Sequence, residues 1–133
     1  MAHLISFVTD RFDPAKETPN PINPIPGEAL LLWLWDRLQV LGFVASLPDT
    51  EDWGWYVYVQ ADRDAPRYLI GASGEVESGA DLRWVIQIHK VRSLWDKIFG
   101  RNKLPPNDGL SEAVGQLVRS ETDFRNVSVE KEG

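Results

Sequence analysis

Hydrophobic and polar positions change period several times along the chain, and each change predicts an element. Residues 53–60 alternate with period two: Trp53, Trp55, Val57 and Val59 fall on one side, Tyr56, Tyr58 and Gln60 on the other. Alternation of aromatic and β-branched residues marks a half-buried strand. Residues 81–91 repeat it, with Leu82, Trp84, Ile86 and Ile88 opposed to Arg83, Gln87 and His89. Shorter runs predict strands over residues 3–8, 43–47, 67–71 and 124–129.

Residues 28–41 switch to helical spacing. Leu31, Leu34, Leu38 and Leu41 form the core stripe, Glu28 suits the positive N-terminal end and Gly42 the stop. Trp33 and Trp35 flank that stripe, and Leu32 falls on the polar face with Glu28, Asp36 and Gln39. Residues 93–99 predict a short helix ended by Gly100. Asp108 caps a longer one whose stripe is Leu110, Ala113, Val114, Leu117 and Val118. Between these elements lie a connection over residues 9–27 with five prolines, acidic turns at 48–52 and 62–66, a glycine-rich loop at 72–80 and a tail at 130–133.

The order strand, helix, four strands, helix, strand predicts a single α+β domain over residues 1–133. Its expected form is a two-layer sandwich: a mainly antiparallel sheet, a four-strand meander plus terminal strands, with two main helices on one face. Trp53, Trp55, Leu82 and Trp84 are expected under the helices, the Trp rings filling the gap between layers. The face bearing Tyr56, Tyr58, Arg83, Gln87 and His89 is left open.

Composition narrows the chemistry. The 133 residues are 43% hydrophobic with six Trp and no Cys. Disulfides, thiolate nucleophiles and Cys-ligated metals are thereby excluded. The net charge of −6 argues against generic binding of nucleic acid or of an anionic membrane. The longest apolar run, residues 29–35, is too short to span a bilayer. The opening residues lack the basic and apolar regions of a secretory signal, so a cytoplasmic location is expected.

The two histidines, His3 and His89, have no metal-ligand spacing. Gly71-Ala72-Ser73-Gly74 is neither a nucleophile elbow nor a phosphate loop. The acidic pairs Asp49 with Glu51 and Asp52, Asp62 with Asp64, and Glu75 with Glu77 lack the ligand count of a calcium loop, and turn chemistry accounts for their aspartates. No catalytic set, metal site or cofactor is read from the chain. Pro21-x-x-Pro24 is read as packing rather than as a recognition motif. Residues 90–103 hold five basic residues against Asp96, giving +4 and leaving −10 elsewhere. Trp95 and Phe99 lie within that stretch, which is read as a solvated face.

The proline-rich opening, the helix around Ala29-Leu30-Leu31-Leu32-Trp33-Leu34, Gly42 and above all Glu51-Asp52-Trp53-Gly54-Trp55 resemble a family of small uncharacterised bacterial proteins. The likeness runs through most of the chain, including the Trp84 strand. It implies a bacterial cytoplasmic protein and carries over no functional residues.

The expected function is a non-catalytic protein-interaction module, immunity- or antitoxin-like or regulatory. It would engage a protein partner through Glu51, Asp52, Tyr56, Tyr58, Arg83 and His89, by charge steering and aromatic anchors. The alternative is a small-ligand-binding protein or enzyme with a pocket between sheet and helices lined by Trp53, Trp55 and Trp84. Oligomeric state is not legible from the sequence.

Overall fold

The computed structural model describes residues 2–76 and 82–131. The fold is α+β. Its strands are β1 (His3–Thr9), β2 (Val44–Ala45), β3 (Asp49–Glu51), β4 (Gly54–Gln60), β5 (Tyr68–Val76), β6 (Leu82–Lys90) and β7 (Arg125–Lys131). Its helices are α1 (Glu28–Val40), α2 (Leu94–Phe99) and α3 (Gly109–Arg119). The sheet is open, with order β2-β4-β5-β6-β1-β7 and β3 also paired to β4, and every pairing is antiparallel. No described helix is long and apolar enough to cross a membrane.

Register puts one apolar set on one face. Val57 pairs with Ile70 and Ile70 with Ile88; Ala72 pairs with Ile86, Ile86 with Ile5, and Ile5 with Val129. Leu30, Leu31, Leu34 and Leu38 of α1 and Leu110, Val114 and Val118 of α3 are buried in the same cluster, so both long helices cover this face. Four buried leucines at about 2 kcal/mol each outweigh the few tenths per residue by which the tryptophans and Val40 weaken the helix. Trp84, Phe7, Phe12, Trp33 and Phe124 form an aromatic cluster at one end of the interlayer, with ring centroids 4.3–6.4 Å apart.

The proline-rich connection is a strap tied to the sheet and to α1. The Asn20 side chain donates to the carbonyls of Glu51 and Gly54, both at 3.0 Å. The Gly74 amide donates to Pro26 at 2.9 Å. Gly27 offers α1 no capping side chain. The Glu17 carboxylate caps the helix instead, accepting from the amides of Gly27, Glu28 and Ala29 at 2.9–3.2 Å. Glu28 accepts from the Thr18 amide in return. The arrangement is a capping box closed across a loop, with the negative charge on the positive end of the helix.

Several expectations change. Residues 72–76 continue β5 rather than looping, because Ala72 and Gly74 pair with Ile86 and Trp84; residues 77–81 lie outside the described set. Residues 49–51 form β3 instead of a plain turn, and the predicted strand at 43–47 shortens to two residues. Glu130 and Lys131 belong to β7, not to a tail. Leu41 is exposed, since α1 ends before it and it serves as the C-cap. Trp95 is also exposed, so the six Trp do not all fill the interlayer gap.

Trp53 leaves the core face. Asp52-Trp53 is the two-residue turn of the β3–β4 hairpin, since Glu51 pairs with Gly54. The alternation therefore starts only at Gly54, whose φ of 149° is open to glycine and costly for other residues. Trp53 folds back over the opposite face and lies on Gly71, where a Cβ would stand 2.5 Å from its Cη2 and Cζ3 atoms.

Candidate functional site

The uncovered sheet face gathers four of the six residues singled out in the sequence. Tyr56 pairs with Gly71 and Gly71 with Gln87; Tyr58 pairs with Leu69 and Leu69 with His89. Tyr56, Tyr58 and His89 thus share one end of this face, with the Trp53 ring 6.3 Å from Tyr56 and Tyr56 5.6 Å from Tyr58. The Arg67 guanidinium sits 4.5 Å from the Tyr58 ring, a cation–π geometry. Burial first, and then Asp49, push the Tyr56 hydroxyl above its usual pKa. His89 Nε2 lies 3.1 Å from Gln87 Oε1. Arg83 is farther along β6, 3.0 Å from the Ser6 hydroxyl and 4.0 Å from Glu75.

Glu51 and Asp52 are exposed at the hairpin turn. Their backbone carbonyls anchor the strap, accepting from Asn20 and Asn23. The turn therefore stands beside the Trp53–Tyr56–Tyr58 group, while Arg83 stands apart from it.

A second site lies between α3 and the sheet, and no candidate from the sequence falls in it. A cleft of about 230 Å³ is lined by His3, Ile5, Ser111, Glu112, Gly115, Arg119, Val129 and Lys131. At its floor His3 Nδ1 and Ser111 Oγ are 2.7 Å apart, both buried. Asp108, also buried, caps α3 by accepting from the Ser111 amide at 3.0 Å and takes a 2.5 Å hydrogen bond from the Tyr68 hydroxyl. Burial pushes the His3 pKa down, so the imidazole is neutral near pH 7. Burial, with Asp108 beside it, pushes the Tyr68 hydroxyl up. Lys131 bridges Glu112 at 3.0 Å at the rim.

This polar chain crosses the core from Tyr68 through Asp108 and Ser111 to His3. Asp108 is bonded to Tyr68 and the Ser111 amide rather than to His3, so the set lacks the orienting acid of a hydrolytic triad. A neutral imidazole and a hydroxyl can bind a polar group, and Arg119 and Lys131 place positive charge at the mouth. Among the described residues no cluster of three His, Asp or Glu side chains could hold a metal ion. The sequence held a signal for His3, which alternates with Ile5 and Phe7 and so belongs on the core face. Nothing in the sequence tied it to Ser111, 108 residues away.

Trp55 and Trp84 are buried between sheet and helices, and Trp55 Nε1 has no hydrogen-bond partner there. Trp53, on the other face, does not join them. Comparison with protein-family models, with curated proteins and with solved structures finds no match to this chain.

Proposed function

We propose that the protein binds a small anionic ligand in the cleft between α3 and the sheet. The observation that carries this reading is the buried His3–Ser111 pair at the floor of an open cleft. Buried polar groups at the end of a cleft fix a ligand's orientation, and here Ile5, Gly115 and Val129 supply the apolar part of the wall. The volume suits a compact molecule, below the roughly 300 Å³ at which drug-sized sites begin. Arg119 and Lys131 outnumber the Glu112 carboxylate that Lys131 bridges, and the net positive charge left at the mouth favours a carboxylate or phosphate group. A pocket between sheet and helices, the alternative drawn from the sequence, thus becomes the first reading, with its polar floor under α3 rather than among the tryptophans. A bacterial cytoplasmic setting belongs to this proposal and rests on the Glu51–Trp55 resemblance.

Gly115 supplies the test. A Cβ added there meets only the Arg119 guanidinium, at 3.7 Å, so a side chain at position 115 starts into the cleft, and Gly115→Leu fills it. Small carboxylates and phosphorylated compounds are screened by thermal shift and titration calorimetry. Support is a compound that binds wild type and is lost in folded Gly115→Leu. A screen with no binder, or a binder indifferent to Gly115→Leu, defeats the reading.

A second reading, a protein-interaction module, is favoured by the half-exposed Trp53, Tyr56 and Tyr58 rings on the uncovered face beside acidic Glu51 and Asp52. Aromatic anchors with a charged rim are the usual anatomy of such surfaces. A stoichiometric partner released by Tyr56→Ala/Tyr58→Ala is its expected outcome. Capture unaffected by that pair of substitutions removes it.

A further inference from the structure

The helix α2 is built inside out. At 100° per residue, Leu94, Trp95, Ile98 and Phe99 occupy one arc, with Asp96 and Lys97 opposite. A surface helix normally turns such an arc into the core. Here the four apolar side chains are 59–70% exposed, and Trp95 and Phe99 stack on each other in the open. Asp96 is the residue of the helix that turns toward the protein instead. Asp96 completes a capping box with Ser93, and its backbone carbonyl accepts from Arg92. A second hydrogen bond from Arg92 reaches the Arg101 carbonyl. Those bonds, all within residues 92–101, tie the helix to the segment that leaves β6, with its apolar arc outward.

Beside the helix, His89, Lys90, Val91, Arg92, Lys97 and Leu104 line a cavity of about 380 Å³. Three of its six walls are permanently cationic. Arg101 lies 3.8 Å from Asp96 with its carbonyl on Arg92, and Lys103 lies against Gly100, so the stretch that is +4 in sequence is also one basic region in space. The net charge of −6 therefore misdescribes this side of the molecule. Screening confines the opposing charge to within about 8 Å at physiological salt.

We infer that α2 and its basic cavity form a docking surface for an anionic lipid bilayer, with headgroup phosphates at Lys90, Arg92 and Lys97 and the Leu94–Trp95–Ile98–Phe99 arc in the interfacial layer. Tryptophan and phenylalanine on an apolar arc, with lysine and arginine around it, are the components of interfacial helices. A second copy joined symmetrically through the same arc would press two +4 regions together. A partner protein would need a preformed groove with an acidic rim, whereas a fluid bilayer receives a convex ridge without one.

The test is co-sedimentation of the full chain with vesicles of phosphatidylcholine alone and of phosphatidylcholine mixed with phosphatidylglycerol, at low and high salt. The expected result is binding to the anionic vesicles only, weakened by salt. Trp95→Ala/Phe99→Ala weakens it by about tenfold or more, and Lys97→Glu by roughly fivefold or more. Both variants touch exposed side chains, and circular dichroism checks that they stay folded. The inference is overturned by no binding to anionic vesicles at low salt; by binding that Trp95→Ala/Phe99→Ala leaves unchanged; and by a concentration-dependent dimer abolished by that variant, which assigns the arc to a second copy. Binding of inorganic phosphate in calorimetry as tight as that of the vesicles also overturns it, by assigning the cavity to a free anion.

Discussion

Gly71→Ala tests the position of Trp53 with a change of sign. Gly71 lies inside β5 and its backbone is not in the left-handed region. On the backbone alone, alanine there stabilises by about 0.5–1 kcal/mol, because the unfolded chain loses freedom. The Trp53 ring reverses this. A Cβ at 2.5 Å from Cη2 and Cζ3 cannot coexist with the ring where it is, so the indole must slide off the strand. Aromatic side chains bury 150–250 Å²; if roughly 100 Å² of ring contact is lost at about 25 cal/mol per Å², the cost approaches 2.5 kcal/mol. A ring that tilts rather than leaves costs less, so a net destabilisation of about 1–2 kcal/mol is expected, the range found for overpacked sites. In a Trp53→Ala background the obstacle is gone, and Gly71→Ala stabilises. The coupling between the two sites is then about 1.5–3 kcal/mol. Urea unfolding of the four proteins, followed by far-ultraviolet circular dichroism, measures it. Gly71→Ala effects of equal sign and size in both backgrounds would refute the placement of Trp53 on the outer face.

Ser111→Ala leaves the buried His3 ring nitrogen without its partner, and a loss of about 1–3 kcal/mol is expected; an unchanged urea midpoint counts against the His3–Ser111 bond. Because burial holds His3 below its ordinary pKa of 6.5, the unfolded chain binds the extra proton first. Stability from this group is then complete above pH 6.5 and declines as pH falls from there towards the folded pKa, by at most about 1.4 kcal/mol per pH unit. His3→Gln should flatten that slope, and stability curves superimposable on wild type across the window would contradict it. Glu17→Ala removes the cap on three amides of α1 and should cost about 1–2 kcal/mol, read by urea unfolding. Tyr68→Phe takes the hydroxyl from Asp108 and should cost about 1.5–3 kcal/mol, the range for hydrogen bonds to charged groups; a thermal midpoint equal to wild type would deny that bond its strength.

The elements with regular period were legible. Residues 54–60 and 82–90 announce their strands through alternation, and residues 28–40 announce α1 through leucine spacing. What failed was local. The Trp53 alternation looked continuous with β4, and only the hairpin register reveals that a two-residue turn intervenes. Gly71 read as the end of a strand and Gly74 as part of a loop, yet both are interior strand positions kept small under the Trp53 and Trp84 rings. Glu17 could not be recognised as a helix cap because its partners lie ten residues on, across four prolines. The cleft was invisible for a related reason. His3 and Ser111 meet only when the first strand lies beside the last and α3 closes over both, and no short window of sequence records that.

β1 is paired on one side with β6 and on the other with β7. It is synthesised before both and can hydrogen-bond to neither until most of the chain exists. Its two edges are open for that whole interval, carrying Ile5, Phe7 and Val8 in a form suited to pairing with any other extended segment. Closing so distant a contact slows folding relative to a helical protein of the same size. A strand paired on both sides, next to the β7 edge of the finished sheet, is therefore the last to be satisfied, and the nascent chain is most open to misassembly until residues 125–131 arrive.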